Sequence, residues 1–170
     1  YRERYLVLDD RRAIVSALGD AHKKASALEV ERIVRDKSLR YEALVGADPP
    51  FFPGAIDAIR RAAERNPVCV VSGAARGEIE AAIRIAKIGR EISFVIAAED
   101  TPDGKPDPAP YREAIERMRR IVPNLTPADG LAVEDTPGGI RSAKGAGLCA
   151  IAVATTYERE RLQPPWVESD

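Results

Sequence analysis

The sequence predicts an α/β fold, in which a parallel sheet carries helices on both faces, together with a small helical subdomain. After residue 54, short apolar runs alternate with amphipathic stretches of helical length, which is typical of parallel sheets. Before residue 46, apolar residues recur only at helical spacing. The segment GADPPFFPG between these patterns is too rich in proline and glycine for a helix. We therefore predict a helical subdomain over residues 1–46 and an α/β core over residues 47–170.

Composition excludes several classes of partner. The 170 residues are 45% hydrophobic and 31% charged, as in a folded globular chain, and the formal net charge is −1. This balance gives no basic field for nucleic acid, and no apolar run approaches the ~20 residues of a membrane span. We therefore expect neither nucleic acid nor a membrane as a partner. Cys69 and Cys149 lie in apolar, strand-like runs, which predicts reduced core thiols in a cytoplasmic protein.

The predicted elements follow in a regular order. Apolar residues from Ala13 to Leu44 recur at helical spacing and predict helices that share an apolar seam. In the core we predict helices at 55–65, 75–87, 111–121 and 138–144, alternating with strands at 68–71, 92–97, 131–133 and 149–153. The polar tail from Tyr157 to Asp170 predicts a loop that leads to an edge element. Since ligands bind beyond the carboxyl ends of parallel strands, the residues after each strand are candidate site residues.

The first candidate strand end is VCVVSGAARGE, where Ser72 and Gly73 stand between a strand and a helix. A hydroxyl, a glycine that lets the backbone approach closely and the unpaired amides of a helix terminus form an anion site. Arg76 adds positive charge to this site. The alternative is an ordinary serine N-cap followed by a turn.

The second strand end leads into a loop that contains Lys105 between Gly104 and Pro106. A lysine on a mobile loop is usually only solvated, and that is the alternative here. A lysine that is held in place suits a phosphate oxygen as a point charge, and it also offsets repulsion between carboxylates.

The third strand end carries two adjacent carboxylates, Glu134 and Asp135, ahead of a short helix. Thr136 fits as the N-cap of that helix and Pro137 as its first residue. Two carboxylates at one strand end repel each other unless a cation lies between them, and Mg²⁺ is often bound through one or two carboxylates. The pair therefore predicts a Mg²⁺ site, and the alternative is a capping acid pair on an exposed loop.

Taken together, the three strand ends resemble a known family. The residues that carry the resemblance are VVSGA at 70–74, GKPDPAPY at 104–111, VEDTPGGIRSAKGAG at 133–147 and FPG at 52–54. The pattern resembles the haloacid dehalogenase-like hydrolases, in the branch that contains small-molecule phosphatases and β-phosphoglucomutase. The resemblance implies a Rossmann-like core, and it identifies the helical subdomain as a cap that closes over the substrate.

The resemblance also implies roles for these residues in the hydrolysis of a small phosphomonoester, so that a phosphorylated metabolite is the expected partner. Ser72 and the Gly73 amide would hold the phosphoryl oxygens. Lys105 would bridge the phosphate and the nucleophile. Asp135, with help from Glu134, would hold Mg²⁺.

Three charged residues are candidates for substrate selection. Asp10 and Arg11 lie in the part of the chain that resembles the cap, and they would face the site when the cap closes. The alternative for both is a solvated, charged loop. Arg76, in the first turn after the Ser-Gly pair, is the third candidate.

The nucleophile of the family has no counterpart in this sequence. The resemblance implies a strand that ends in Asp-x-Asp, whose first Asp attacks phosphorus to give an aspartyl phosphate. Asp9 and Asp10 end the strand-like run YLVLDD, but adjacent strand side chains point to opposite faces. We therefore assign the nucleophile to no residue here and expect it upstream of Tyr1, which would leave both cap and core incomplete.

Three other functions stay open at this point. A sugar phosphomutase of the same branch usually carries a cap lysine near the position of Ala43. A dehalogenase would not need the Mg²⁺ pair. A catalytically inactive binding or regulatory protein on the same scaffold would account for the missing nucleophile.

Overall fold

After two N-terminal helices, helices and strands alternate along the chain in the predicted order. The computed structural model describes residues 10–47 and 51–162, and the chain divides into two units, residues 1–100 and 101–170. The first unit contains α1 (Asp10–Asp20), α2 (Ala27–Ala47), α3 (Ala55–Ala63), β1 (Val68–Val71), α4 (Arg76–Ala86) and β2 (Ile92–Ile96). The second contains α5 (Ala109–Arg119), β3 (Leu131–Glu134), α6 (Pro137–Gly145), β4 (Cys149–Ala152) and α7 (Arg159–Leu162). The predicted boundary after residue 46 falls inside the first unit and stays a prediction.

The strands pair in parallel, as the sequence predicts. β1 pairs with β2 in the first unit, with Val71 opposite Ile96. β3 pairs with β4 in the second unit, with Leu131 opposite Cys149. Each pair is joined through a helix, α4 in the first case and α6 in the second, which is the connection that parallel strands require. The predicted α/β fold class is confirmed, and all four strands begin at the predicted residue.

The core of the first unit lies where α4 packs on β1 and β2. Ile79 of α4 and Val95 and Ala97 of the second strand region are buried together, with four partly buried residues against them, Val70, Ala74, Ile83 and Ile92. Ile79 and Ile83 are four residues apart and so lie on one face of the helix. Burying a side chain of this size contributes about 1.5–3 kcal/mol to stability. This packing holds the carboxyl ends of β1 and β2 side by side.

In the second unit, α6 packs against β3, β4 and α5. Ala132 of β3 and Ala143 of α6 are almost completely buried, and α5 contributes a buried face made of Tyr111, Ala114, Ile115 and Met118. The hydroxyl of Ser142, also fully buried, donates to the carbonyl of Asp107 at 2.5 Å. This bond ties α6 to the loop that contains Lys105.

The apolar seam predicted for the first two helices is mostly absent. Val30 is buried, but Leu28, Leu39 and Leu44 of α2 are exposed. Because α1 has 11 residues and α2 has 21, and each residue adds about 1.5 Å, α1 can cover only about half of its neighbour. The prediction of a shared seam is therefore wrong for most of α2.

The two cysteines differ in exposure. Cys69 is partly buried in β1, and burial raises the pKa of its thiol to about 11, so it stays protonated at neutral pH. Cys149 is exposed at the start of β4, opposite the exposed Leu131. The prediction of a core thiol is wrong for Cys149, because this face of β3 and β4 is not covered by any residue that the structure describes.

The tail is also not a simple loop. α7 forms between Arg159 and Leu162, and Leu162 is buried, whereas residues 163–170 lie outside the described part of the chain. Among the described helices, none is long and apolar enough to cross a lipid bilayer.

Candidate active site

Ser72 lies directly after β1, in a turn that β2 supports. Its amide donates to the carbonyl of Ile96 at 2.9 Å, and its hydroxyl accepts from the amide of Ala74 at 3.1 Å. The following helix, α4, begins only at Arg76, and its N-cap residue, Ala75, makes no side-chain cap. Ser72 is therefore not the N-cap, and the alternative that treated it as one is wrong.

Gly73 is the most open residue of this turn. It is exposed, and nothing lies within 4 Å of the position that a Cβ would occupy. The backbone at this position is therefore accessible to a ligand that approaches from solvent.

Arg76 is tied to the loop after β2. Its backbone amide lies 3.3 Å from both carboxylate oxygens of Glu99, and its guanidinium donates to the carboxylate of Asp100. The same Asp100 oxygen accepts from the amide of Ala97 at 2.7 Å. The sequence predicted unpaired amides at the start of α4, but Glu99 already occupies the amide of Arg76. The role of Arg76 in substrate selection stays a prediction.

Lys105 lies in a turn just before α5, where the amide of Asp107 donates to the carbonyl of Gly104 at 3.0 Å. Its side chain is 18% exposed, and its ammonium donates to a carboxylate oxygen of Glu134. The alternative of a solvated lysine is therefore wrong, because the charge is held against a buried carboxylate.

Glu134, the last residue of β3, is the most deeply buried acid among the described residues of this unit, at 6% exposure. Its Oε1 accepts from two donors, the Lys105 ammonium and the hydroxyl of Tyr111. The Lys105 Nζ also lies 5.1 Å from the centre of the Tyr111 ring, a distance that suits a cation–π contact. We call Lys105, Tyr111 and Glu134 the Glu134 cluster. A buried carboxylate is stable only with such partners, since an unpaired buried charge is very costly.

The other side of the Glu134 carboxylate is packed against Gly139 in the first turn of α6. A Cβ at this glycine would overlap the carboxylate of Glu134. The carboxylate could move away only by giving up its bonds to Lys105 and Tyr111. The adjacent Gly138 is different, because a Cβ there would meet only Pro106, at an ordinary 3.9 Å.

Replacing Gly139 with alanine should therefore lower the free energy of unfolding by about 1–3 kcal/mol, the usual cost of overpacking. The matched variant Gly138→Ala should change it much less, since it adds the same methyl group to the same turn without a clash. Urea denaturation measures both. Equal midpoints for the two variants would contradict the close approach of Glu134 to Gly139.

Asp135 follows Glu134 and is partly exposed, with its Oδ2 accepting from the hydroxyl of Thr156. The cap of α6 is Thr136, whose hydroxyl accepts from the amide of Gly139 at 3.0 Å, with Pro137 as the first helical residue. Both predictions for this helix start are confirmed. Because Thr136 makes the cap, the alternative that Glu134 and Asp135 serve as capping acids is wrong.

The acid pair at the end of β3 fits Mg²⁺ by its chemistry. Both side chains offer the hard carboxylate oxygens that this ion prefers, and Mg²⁺ needs only one or two protein carboxylates because water and phosphate complete its shell. Within residues 10–47 and 51–162, no group of three or more His, Cys, Asp or Glu side chains is arranged to hold a metal ion. Asp135 is the better candidate ligand, since Glu134 already carries two donors on one oxygen.

Asp10 and Arg11 are engaged within the first unit. Asp10 begins α1, and its Oδ2 accepts from the ammonium of Lys37 at 2.6 Å, which also reaches the buried Glu78 at 3.1 Å. Although burial lowers the pKa of Lys37, the bonds to Asp10 and Glu78 outweigh it, and the pKa is raised. The guanidinium of Arg11 contacts Glu31 of α2. Their role in substrate selection stays a prediction, and Asp9 lies outside the described residues.

Two residues that contact Glu134 were not identified from the sequence. Tyr111 stands six residues after Lys105 in GKPDPAPY, but a sequence does not show that its hydroxyl turns towards Glu134. Gly139 stands in a Gly-Gly pair, which signalled only a turn. Both contacts depend on how α5 and α6 pack on β3, which spacing alone does not define.

The chain matches one protein-family model and several known proteins. The family model described as haloacid dehalogenase-like hydrolase matches residues 3–147. The chain is 30% identical over 164 residues to protein CbbY of Cereibacter sphaeroides, covering 94% of this chain and 69% of that protein. It is 33% identical over 98 residues to validoxylamine A 7'-phosphate phosphatase of Streptomyces hygroscopicus subsp. limoneus, covering 58% of this chain. The matched part is only 44% of that phosphatase.

Solved structures agree with this assignment. The crystal structure of CbbY from Rhodobacter sphaeroides in complex with phosphate superimposes with a TM-score of 0.79 at 26% identity, covering 96% of this chain and 73% of that chain. A variant of the same protein has been crystallised with xylulose 1,5-bisphosphate. The likeness confirms the predicted α/β fold.

Proposed function

Because the chain belongs to the haloacid dehalogenase-like hydrolases, we propose that it serves the Mg²⁺-dependent hydrolysis of a small phosphomonoester. The observation that carries the proposal is the Glu134 cluster next to Asp135, at the carboxyl end of β3. It combines a fixed ammonium with two adjacent carboxylates, which is the charge pattern that a phosphate and a divalent cation need together.

In this proposal the phosphoryl oxygens are bound by Lys105, Ser72 and the Gly73 amide. Lys105 is held in place by its ion pair with Glu134, so its charge should need little reorganisation when a phosphate arrives. Ser72 is fixed by β2, and Gly73 leaves its backbone open to the ligand. Asp135 and Glu134 hold Mg²⁺, which when bound neutralises charge that develops on the phosphoryl group. We assign the nucleophile to no residue of this sequence.

The relatives support a proposal for the class of substrate. Validoxylamine A 7'-phosphate phosphatase acts, by its name, on a phosphorylated small molecule, and CbbY has been crystallised with a sugar bisphosphate. We propose a phosphorylated metabolite of that size for this protein, with Asp10 and Arg11 as residues that select it. We also propose a cytoplasmic location, since Cys69 and Cys149 are both free thiols.

The test is a phosphatase assay on the protein encoded by the complete reading frame, with p-nitrophenyl phosphate and a panel of sugar phosphates. Release of inorganic phosphate should require Mg²⁺ and should stop when EDTA removes it. Hydrolysis that is insensitive to EDTA would contradict the role of the acid pair. Isomerisation of a sugar phosphate without release of phosphate would instead show a phosphomutase.

A further inference from the structure

Tyr111 is a buried polar residue to which the proposed reaction gives no role. It is the third residue of α5 and only 6% exposed. A buried phenol usually finds a hydrogen-bond partner, and here the partner is Oε1 of Glu134. Its hydroxyl therefore donates to one of the two carboxylates that we propose as Mg²⁺ ligands.

Other residues also surround the Glu134 carboxylate that Tyr111 contacts. Lys105 donates to the same Oε1, and its Nζ lies 5.1 Å from the centre of the Tyr111 ring. Gly139 closes the opposite side, where no Cβ could be accommodated. The carboxylate of Glu134 is thus held from three directions, and of its donors Lys105 and Tyr111 it is Tyr111 that carries no charge.

We propose that Tyr111 is a positioning residue, whose hydroxyl fixes the orientation of the Glu134 carboxylate for Mg²⁺ binding. This inference depends on the proposed function, because it assumes that Glu134 and Asp135 hold the ion. Outer partners that orient metal ligands commonly change metal affinity by about 10- to 100-fold when they are removed. A free carboxylate that must first be ordered binds the ion more weakly, and that is the effect expected here.

Tyr111→Phe isolates the hydroxyl. The variant keeps the ring, its packing in α5 and the cation–π contact with Lys105, and it removes the hydroxyl that donates to Glu134. We expect the dissociation constant of Mg²⁺, measured by isothermal titration calorimetry without substrate, to rise at least about tenfold. Tyr41→Phe is the matched control, since Tyr41 lies on α2 in the first unit, and its Mg²⁺ affinity should equal that of the wild type.

Two further measurements separate the possible failures. Thermal midpoints of both variants show whether they are folded at the temperature of the titration, and Asp135→Asn tests the ion site itself. Unchanged Mg²⁺ affinity in folded Tyr111→Phe, with weaker binding in Asp135→Asn, overturns the role of Tyr111 alone. A wild-type protein that does not bind Mg²⁺, or equal affinity in Asp135→Asn, overturns the proposed function as well.

Discussion

Lys105→Ala should reduce the phosphatase rate by at least about 10²-fold, because it removes a preorganised positive charge from the phosphoryl oxygens. The effect should appear in kcat as well as in kcat/KM, because a preorganised charge stabilises the transition state more than the bound substrate. The matched control is Lys144→Ala, an exposed lysine in the last turn of α6, which should keep the wild-type rate.

The same variant should also be less stable. Glu134 is 6% exposed and Lys105 is 18% exposed, so removing the ammonium leaves a buried carboxylate that still accepts from Tyr111 but has lost its positively charged partner. Breaking such a pair costs about 3–5 kcal/mol, a large share of the stability of an ordinary domain. Circular dichroism must therefore show that the variant is folded during the assay, and Lys105→Arg, which keeps the charge, provides a more stable second variant.

A folded Lys105→Ala protein that hydrolyses phosphate esters at the wild-type rate would remove Lys105 from the mechanism. Lower stability with full activity would show that the residue only neutralises Glu134.

Asp135→Ala should lose at least about 10²-fold in rate, for a different reason. Asp135 is the acid of the pair with the fewer protein donors, so its loss removes the principal proposed ligand of Mg²⁺. Part of the lost rate should return at high Mg²⁺ concentration, because Glu134 remains. Stability should change less than in the Lys105 variant, since Asp135 is partly exposed and gives up only its bond to Thr156.

The control for Asp135→Ala is Glu116→Ala, which removes a carboxylate from the surface of α5. Glu116 pairs only with a neighbouring arginine of its own helix and is 61% exposed, so the rate and its Mg²⁺ dependence should be unchanged. An Asp135→Ala variant with normal Mg²⁺-dependent activity would place the metal elsewhere.

Local features of this fold could be read from the sequence. The strands were predictable because each is a short apolar run between turn residues, and the start of α6 was predictable because Thr136 and Pro137 are strong helix-start signals. The glycine and proline beside Lys105 were compatible with a lysine held in place, but only its bond to Glu134 excludes the alternative of a solvated lysine.

Contacts between distant residues could not be read in the same way. Nothing in the spacing shows that Tyr111 and Lys105 share one oxygen of Glu134, or that Glu99 occupies the first amide of α4. The prediction of a buried apolar seam was wrong for a related reason, since the length of α1 limits how much of α2 it covers. Periodicity gives the face of a helix, whereas packing decides what that face meets.

The central proposal is that Ser72 and Lys105 bind one and the same phosphate. Isothermal titration of the protein with inorganic phosphate in the presence of Mg²⁺ tests it most directly. We predict one phosphate per chain, bound about tenfold or more weakly by folded Ser72→Ala and by folded Lys105→Ala, since each loses a hydrogen bond to a charged group. Wild-type affinity in either variant would contradict the account.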